Sequence, residues 1–304
     1  MRPLPHRDAM PPAPPPGLPP GLIVPLGARG ETFVRHHAGP PGAPVLLLLH
    51  GWTASSDLQW CTAYPALTER YSVIAVDHRG HGRGIRSEEP FSLEDCADDA
   101  AAVVEALAPG RRVIAVGYSM GGPITMHLWR RHPALVGGIV LEATALEWRA
   151  AREDRLRWRM LAFADRILRS RRLHRWVERW LREQVHANPA LEAWIPWVLA
   201  ELRRTDPIAI IEAGRALSEF DARPFAASVD VPAAVVVTTE DNVVRPKKQR
   251  ALAHALKAET FELRGDHDVF WARSSEFSAT TLTAVEWVVS AIGRRGGDSS
   301  LRLA

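Results

Sequence analysis

The segment most informative about the fold is Val113-Ile114-Ala115-Val116-Gly117-Tyr118-Ser119-Met120-Gly121, which is followed by an apolar segment at 123–129. The first four residues predict a buried strand, and the apolar spacing of 123–129 predicts a helix. A sharp turn between them strains its central residue and lifts the serine hydroxyl off the sheet edge, while the flanking glycines leave room for strand and helix to close. A Gly-x-Ser-x-Gly string also occurs in ordinary turns, but its setting favours a nucleophile elbow with Ser119 as candidate nucleophile.

Composition sets the broad class of the protein. The chain has 304 residues, of which 46% are hydrophobic, which is ordinary for a globular protein with a large core. A net charge of +3 is too small to imply nucleic-acid binding. Cys61 and Cys96 are the only cysteines, which excludes a disulfide framework and a cysteine-rich zinc site and favours a cytoplasmic, reducing location. No apolar run approaches the roughly 18 residues that a transmembrane helix needs.

Further strands are predicted where short apolar, β-branched runs recur. These runs are apolar throughout rather than alternating, as in parallel strands buried on both faces of an α/β sheet. A segment at 32–36 predicts an edge strand that pairs antiparallel with 22–25. The buried strands are expected at 45–49, 73–76, 113–116, 138–141, 233–237 and 260–263.

Helices are predicted between most of these strands, at 58–70, 93–107, 123–131, 246–256 and 277–292. Between residues 141 and 233 the alternation stops, and a long, mostly helical insertion is placed where a lid would cover the carboxyl ends of the strands. We therefore predict an α/β core at 22–146 and 220–293, a helical cap at 147–219 and a flexible tail at 294–304. Residues 1–21 are rich in proline and predict a disordered leader, or an overlong start before Met10.

A serine nucleophile needs a base within hydrogen-bond reach and a third group that orients the base. His267 is the candidate base, because it follows the last predicted strand in a glycine-containing turn, where a side chain can hang over the sheet edge. Other histidines, at 127, 132 and 254, fall in predicted helices and are interpreted as surface or packing residues.

The orienting acid has two candidates. Asp241 follows the predicted strand 233–237, and the chain order Ser119, Asp241, His267 is the order of this kind of site. Glu142, directly after the strand 138–141, is the alternative acid. For the oxyanion hole, the backbone amides of Trp52 and Met120 are the candidate donors, because they follow a strand end and the nucleophile respectively.

Three motifs together resemble the α/β-hydrolase family, namely its serine-triad, esterase and lipase-like members, over roughly residues 22–293. They are Leu49-His50-Gly51-Trp52, Asp77-His78-Arg79-Gly80-His81-Gly82 and Gly117-Tyr118-Ser119-Met120-Gly121-Gly122. The resemblance implies a mostly parallel eight-stranded sheet flanked by helices, a helical cap between strands six and seven, and no metal or organic cofactor. It also implies a structural role for the second motif. In one departure, Asp266 stands before His267 where the family often has glycine.

These features predict a hydrolase of carboxylic esters that forms an acyl-enzyme on Ser119. The apolar cap favours a small-molecule ester with a medium or long acyl chain. The triad alone leaves open an amidase, thioesterase, acyltransferase, carbon–carbon hydrolase or haloperoxidase-like activity. A binding protein that keeps the fold without turnover is the alternative from another class, and the competent residues at every triad and oxyanion position argue against it.

The predicted cap contains a basic segment between Arg149 and Glu183. It has twelve arginines against five acidic residues, a local balance of +7, with Trp158, Trp176 and Trp180 among them. Such a segment is typical of an interfacial helix that contacts an anionic membrane surface. It also fits a cap whose apolar face covers the site while its arginines stay solvated, and we favour this second interpretation.

Overall fold

The structure is a computed structural model that describes residues 12–148 and 189–295. Its described residues form an eight-stranded sheet in the order β1-β2-β4-β3-β5-β6-β7-β8. β1 pairs antiparallel with β2 and β2 with β4, while the pairs from β4 onward are parallel. The strands are β1 Gly21–Pro25, β2 Glu31–His37, β3 Val45–Leu49, β4 Ser72–Val76, β5 Val113–Tyr118, β6 Val136–Glu142, β7 Ala233–Thr238 and β8 Glu259–Leu263. Each predicted strand is confirmed within two residues at its ends.

The central strands are buried on both faces, as their continuous apolar runs predict. All five residues of β3 are buried. Because side chains alternate along a strand, Leu47 and Leu49 pack into the core cluster on one side of the sheet, and Leu46 and Leu48 into the cluster on the other. The carboxyl ends of these strands meet at one edge, where the candidate site lies.

The helices cover both faces of the sheet. Ser92 caps its helix as predicted, since its hydroxyl accepts the Asp95 N–H at 3.0 Å. The prediction of one helix over 58–70 is wrong: two short helices stand there, and Pro65, which has no N–H, lies in the first turn of the second. The helices are α1 Ser56–Trp60, α2 Tyr64–Thr68, α3 Leu93–Leu107, α4 Gly121–Arg131, α5 Ile195–Leu202, α6 Pro207–Glu219, α7 Pro246–Leu256, α8 Val269–Ala272 and α9 Ser274–Arg295.

The insertion between β6 and β7 is helical in its described part. After a 3₁₀ turn at Pro189–Trp194 come α5 and α6, which precede β7. The whole basic segment between Arg149 and Glu183 lies outside the described residues. The cap boundaries at 147 and 219 stay predictions. No helix within 12–148 and 189–295 has the length and apolar character that crossing a bilayer requires.

The end of the predicted leader is held on the sheet. The Pro19 carbonyl accepts a hydrogen bond from the Arg35 guanidinium at 2.9 Å, and the Pro20 carbonyl accepts one from His36 N–H at 2.9 Å. Leu18 packs against the core. The expectation of disorder therefore does not extend to residues 18–20, while residues 1–11 of the leader and 296–304 of the predicted tail lie outside the described residues.

Candidate active site

Ser119 stands at the tip of the turn between β5 and α4. Its φ is 51°, in the left-handed region that costs a non-glycine residue roughly 1–2 kcal/mol, so its surroundings must enforce it. Close packing explains the glycines: a side chain at Gly121 would overlap the Leu49 carbonyl, and one at Gly117 would overlap the Gly121 carbonyl. The Ser119 N–H donates to the Glu142 carbonyl at 2.9 Å, which fixes the turn to the end of β6.

His267 lies in the loop after β8, and its ring reaches the serine. Its Nε2 is 3.0 Å from Ser119 Oγ, within the distance at which a ring nitrogen accepts a hydroxyl proton. Its other nitrogen, Nδ1, is 2.8 Å from Asp241 Oδ2. A carboxylate at that position holds the proton on Nδ1, which leaves Nε2 free to act as the base. The structure thus brings the three predicted side chains into one hydrogen-bonded chain.

Asp241 is fully buried, and donors from its own loop and from α7 surround it. Its Oδ1 accepts the N–H groups of Val243 at 2.8 Å and Val244 at 2.7 Å. Its Oδ2, which faces His267, also accepts from Thr238 Oγ1 at 2.8 Å and from Gln249 Nε2 at 3.2 Å. Donors of this number stabilise the ionised carboxylate and fix its orientation toward the imidazole.

Electrostatics favour the protonated form of the imidazole. Burial opposes a charge on His267, but the hydrogen bond and charge of Asp241, with smaller contributions from Asp268 and Asp266, outweigh it and raise the pKa of His267 above its ordinary value. A raised pKa makes the ring a stronger base toward a hydroxyl proton. It also stabilises the imidazolium that forms when that proton is taken.

Glu142, the alternative acid, does not meet the base in the structure. Its side chain is fully buried, and its Oε1 accepts a hydrogen bond from Thr281 Oγ1 of α9 at 2.9 Å. Burial raises the pKa of Glu142 to about 8, so the carboxyl is mostly neutral near pH 7. A neutral acid cannot stabilise an imidazolium as a carboxylate does, and Asp241 is the acid that lies on His267.

The two candidate oxyanion donors flank the nucleophile. Met120 is the N-cap of α4, so its N–H has no acceptor within the helix, and the positive end of the helix dipole lies there. Trp52 follows Gly51, whose backbone packs so close that a side chain added there would come within 3.3 Å of Ser119 Cβ. Thr53, the next residue, has a φ of 66°, which marks a tight turn. Both amides therefore belong to turns that approach the serine.

His50 and the motif at 77–82 shape the loops around the site. His50 Nδ1 lies 2.8 Å from the Gly51 carbonyl, so its Nε2 is the acceptor of the His78 N–H at 3.0 Å. Burial lowers the pKa of His50 to about 4, which keeps the ring neutral. Asp77 accepts the Ser56 N–H at 2.8 Å. These contacts agree with the structural role that the resemblance implies for the motif at 77–82.

Two groups near the base were not found from the sequence. Tyr118, inside the elbow motif, donates its hydroxyl to the His267 carbonyl at 2.6 Å. Gln249, on α7 and 8 positions after Asp241, donates a hydrogen bond from its side chain to the Asp241 carboxylate. The only sequence signal for Tyr118 was its place beside Ser119, and Gln249 gave none, because its role depends on how α7 packs against β7.

The described part of the cap rests on the loops that border the site. The Trp52 indole N–H donates to the Ile210 carbonyl of α6 at 2.8 Å. A side chain at Gly214 of the same helix would come within 2.8 Å of that indole ring. At the start of α6, the Asp206 N–H donates to the Gly80 carbonyl at 2.8 Å. Trp52, whose amide is a candidate oxyanion donor, is thus also in contact with α6 through its side chain.

Comparisons with known proteins find relatives with the same fold. The family model for the α/β hydrolase fold matches residues 44–184. Pimeloyl-(acyl-carrier protein) methyl ester esterase of Neisseria meningitidis serogroup C is 27% identical over 253 residues, which cover 82% of this chain and 96% of that protein. Protein phosphatase methylesterase 1 of Bos taurus is 37% identical over 145 residues, which cover 44% of this chain and 37% of that protein. The crystal structure of the enol-lactonase from Burkholderia xenovorans superposes with a TM-score of 0.70 at 25% identity and covers 84% of this chain and 97% of that one.

The chain has the α/β-hydrolase fold, and it resembles the esterase-like members of that family. Its relatives are named as esterases and hydrolases, and the chain is an enzyme of that class, a hydrolase of ester bonds.

Proposed function

We propose that the chain is a serine esterase that works through an acyl-enzyme on Ser119. His267 takes the proton from Ser119 Oγ as the oxygen attacks the ester carbonyl, and then returns it to the leaving alcohol. Asp241 orients His267 and stabilises its charged form. The observation that carries the proposal is the continuous path from Ser119 Oγ to His267 Nε2 at 3.0 Å and from Nδ1 to Asp241 Oδ2 at 2.8 Å.

The amides of Trp52 and Met120 are proposed to stabilise the oxyanion of the tetrahedral intermediate. Backbone amides suit this role because they are already oriented before charge develops on the carbonyl oxygen. The position of Met120 at the start of α4 supports the assignment, since a helix N-terminus favours negative charge. In the second half of the reaction, His267 activates a water molecule that hydrolyses the acyl-enzyme.

We propose a carboxylic ester with a medium or long acyl chain and a small alcohol as the substrate class. Support for the acyl chain comes from the apolar cap, in which Ile195, Trp197 and Val198 of α5 are buried among apolar neighbours. Support for a small alcohol comes from the relatives, of which one is named a methyl ester esterase and another a methylesterase. A charged substrate would find little compensation beside such an apolar cap.

The decisive test compares Ser119→Ala with the wild type on p-nitrophenyl esters and methyl esters of graded acyl length. We expect the substitution to lower kcat by at least about 10⁴-fold. Ser290→Ala is the matched control, because Ser290 is exposed on α9 and bonds only to the Glu286 carbonyl. Unchanged turnover in Ser119→Ala would refute the scheme, and a preference for the shortest acyl chains would refute the proposed acyl length.

Other chemistry on the same triad is tested by extending the panel. Amides, thioesters and acyl acceptors other than water separate an amidase, a thioesterase and an acyltransferase from an esterase. A fluorophosphonate probe separates all of these from a binding protein without turnover, because only an activated serine reacts. We expect labelling of the wild type and of Ser290→Ala, and none of Ser119→Ala.

Contact of the cap with a membrane surface is a separate hypothesis. It depends on the segment between Arg149 and Glu183, where the charge balance is +7. Co-sedimentation with vesicles with and without anionic lipid, at low and at high salt, tests it. Binding that needs anionic lipid and weakens with salt would support peripheral attachment, and no binding at low salt would refute it and favour a solvated basic face on a cytoplasmic enzyme.

A further inference from the structure

The peptide group of His267 is held from two sides. Its N–H donates to the Asp266 side chain, with 2.7 Å between His267 N and Oδ1. Its carbonyl accepts a hydrogen bond from the Tyr118 hydroxyl at 2.6 Å. The candidate base is therefore fixed through its backbone as well as through its ring.

Asp266 connects the histidine loop to the acid loop. Its Oδ1 also accepts the Asn242 N–H at 2.9 Å, and its Oδ2 accepts from Asn242 Nδ2 at 3.2 Å. Asn242 directly follows Asp241, so a single carboxylate joins the loops that carry the acid and the base. Although burial opposes it, these hydrogen bonds hold the pKa of Asp266 below its ordinary value and keep it an acceptor. A glycine at this position, which the family often has, could form none of these side-chain bonds.

Tyr118 connects the histidine loop to the strand that carries the nucleophile. Its ring is fully buried and lies edge-on to Trp60, Phe270 and Phe277, with centroid distances of 6.4, 5.5 and 5.8 Å. Burial raises the pKa of its hydroxyl well above the ordinary value, so the group remains a donor. Since Tyr118 is the residue before Ser119, its hydrogen bond ties the base to the nucleophile's own strand.

We propose that Asp266 and Tyr118 are positioning residues that hold His267 within reach of both Ser119 and Asp241. The proposal rests on the esterase mechanism above. His267 must satisfy two hydrogen bonds at once, and a displacement of about 1 Å costs on the order of 100-fold in rate. The carboxylate sets the loop against Asp241, and the phenol sets it against Ser119, so each bond controls one of the two distances.

Tyr118→Phe and Asp266→Ala test the two sides separately. Tyr118→Phe removes one oxygen and keeps the packed ring, and Asp266→Ala removes the link to Asn242. We expect each to lower kcat by roughly 10- to 100-fold while KM stays within about twofold, because the substrate-binding surface is unchanged. Asp266→Asn keeps an oxygen acceptor for the two backbone amides, and we expect it to retain most of the kcat that Asp266→Ala loses.

Glu240→Gln is the matched control. Glu240 lies in the same acid loop, but its side chain is exposed and pairs with the exposed Arg264. We expect this variant to keep the kcat and KM of the wild type. Thermal unfolding of every variant identifies any general loss of fold. If Asp266→Ala does not fold, Asp266→Asn and Tyr118→Phe decide the proposal by the same kinetic criteria.

Proton NMR gives a readout that does not need turnover. An imidazole N–H bonded to a carboxylate has a far-downfield resonance, which here reports the distance between His267 Nδ1 and Asp241 Oδ2. We expect that resonance to shift or broaden in Asp266→Ala at a temperature below its unfolding transition, where the fold is intact, and to remain in Glu240→Gln. A purely structural role for Asp266 would lower stability without moving this resonance in the folded protein.

The outcomes separate this proposal from the esterase mechanism. Wild-type kcat in folded Tyr118→Phe and Asp266→Ala, together with an unmoved resonance, would overturn the positioning roles while leaving the mechanism intact. A wild type that reacts with neither esters nor the fluorophosphonate probe would overturn the mechanism instead. A fall in kcat that Asp266→Asn restores, with KM unchanged, is the result that supports the proposal.

Discussion

Two buried carboxyl groups stand at the ends of the neighbouring strands β6 and β7, and their surroundings differ. Asp241, after β7, accepts hydrogen bonds from two backbone amides, from Thr238 and from Gln249, and it faces His267. Glu142, at the end of β6, accepts one from Thr281 on Oε1, and within the described residues its Oε2 has no hydrogen-bond partner. Residue type and depth are similar, but the number of donors is not.

The number of donors decides how well an ionised form of each carboxyl would be stabilised. Desolvation disfavours an ionised carboxylate, and only hydrogen bonds or opposite charges offset that cost. At Glu142 a single hydroxyl is too little, so burial raises the pKa to about 8. At Asp241 the loop amides and the imidazole supply the compensation. Which acid serves the base is thus set by the groups around each carboxyl rather than by its nearness to a strand end.

The substitution with the largest expected effect is Asp241→Asn. An asparagine keeps an oxygen for the Val243 and Val244 amides, but its NH₂ group toward His267 Nδ1 favours the wrong tautomer of the ring. We expect kcat to fall by about 10⁴-fold with the fold intact. Steady-state kinetics and circular dichroism measure both. Substantial residual activity would mean that another group, with Glu142 the first candidate, orients the base.

Gln249 tests whether the donors around Asp241 matter. Gln249 is fully buried; its Nε2 donates to Asp241 Oδ2 at 3.2 Å, and its Oε1 accepts the Thr238 N–H at 3.0 Å. We expect Gln249→Leu to lower kcat roughly tenfold and the free energy of unfolding by about 1–3 kcal/mol, because Thr238 loses its partner. Gln249→Glu keeps the acceptor for Thr238 but brings a carboxyl to Asp241. Equal kcat in all three proteins would show that Asp241 needs no help from α7.

Much of the site could be predicted from local sequence. The strand, turn and helix around Ser119 are encoded within about twenty residues, and Asp241 and His267 follow apolar runs that predict strands. The choice between Asp241 and Glu142 remained open because the groups that decide it are remote in sequence: Thr281 is 139 positions from Glu142. Such neighbours are set by how helices pack on the sheet, which local patterns do not encode.

The same limit explains the wrong prediction of one helix over 58–70. Apolar spacing over 58–70 fits one helix, but the missing N–H of Pro65 separates α1 from α2. Asp266 is the opposite case. The sequence showed only that Asp266 stands where the family often has glycine. Its bonds to Asn242 and to the His267 N–H depend on how the two loops lie against each other.

The pH dependence of catalysis tests the pairing of Asp241 with His267. His267 must be neutral to accept a proton, so kcat/KM should fall on the acid side with a midpoint above 6.5, since Asp241 helps to raise the pKa of His267. In the residual activity of Asp241→Asn this midpoint should move to lower pH. The stability that the charged ring contributes is fully present below about pH 6.5 and is lost as the pH rises through the folded pKa. A midpoint that is the same in both proteins would contradict the pairing.

Glu142→Gln should have the smallest effect on activity, with kcat within about twofold of the wild type, because a neutral carboxyl is replaced by a neutral amide. Its signature is in stability. A carboxyl whose pKa rises from 4.5 to about 8 on folding contributes stability that is present below pH 4.5 and is lost as the pH rises toward 8.

The glutamine cannot ionise, so it does not lose this stability as the pH rises. Urea unfolding should therefore show the free energy of unfolding of Glu142→Gln, relative to that of the wild type, rising by a few kcal/mol from about pH 5 to about pH 8. Glu262→Gln, at an exposed carboxylate that pairs with Arg250, is the matched control and should show no such gain. If instead Glu142→Gln loses activity as Asp241→Asn does, donor number would not be what separates the two acids.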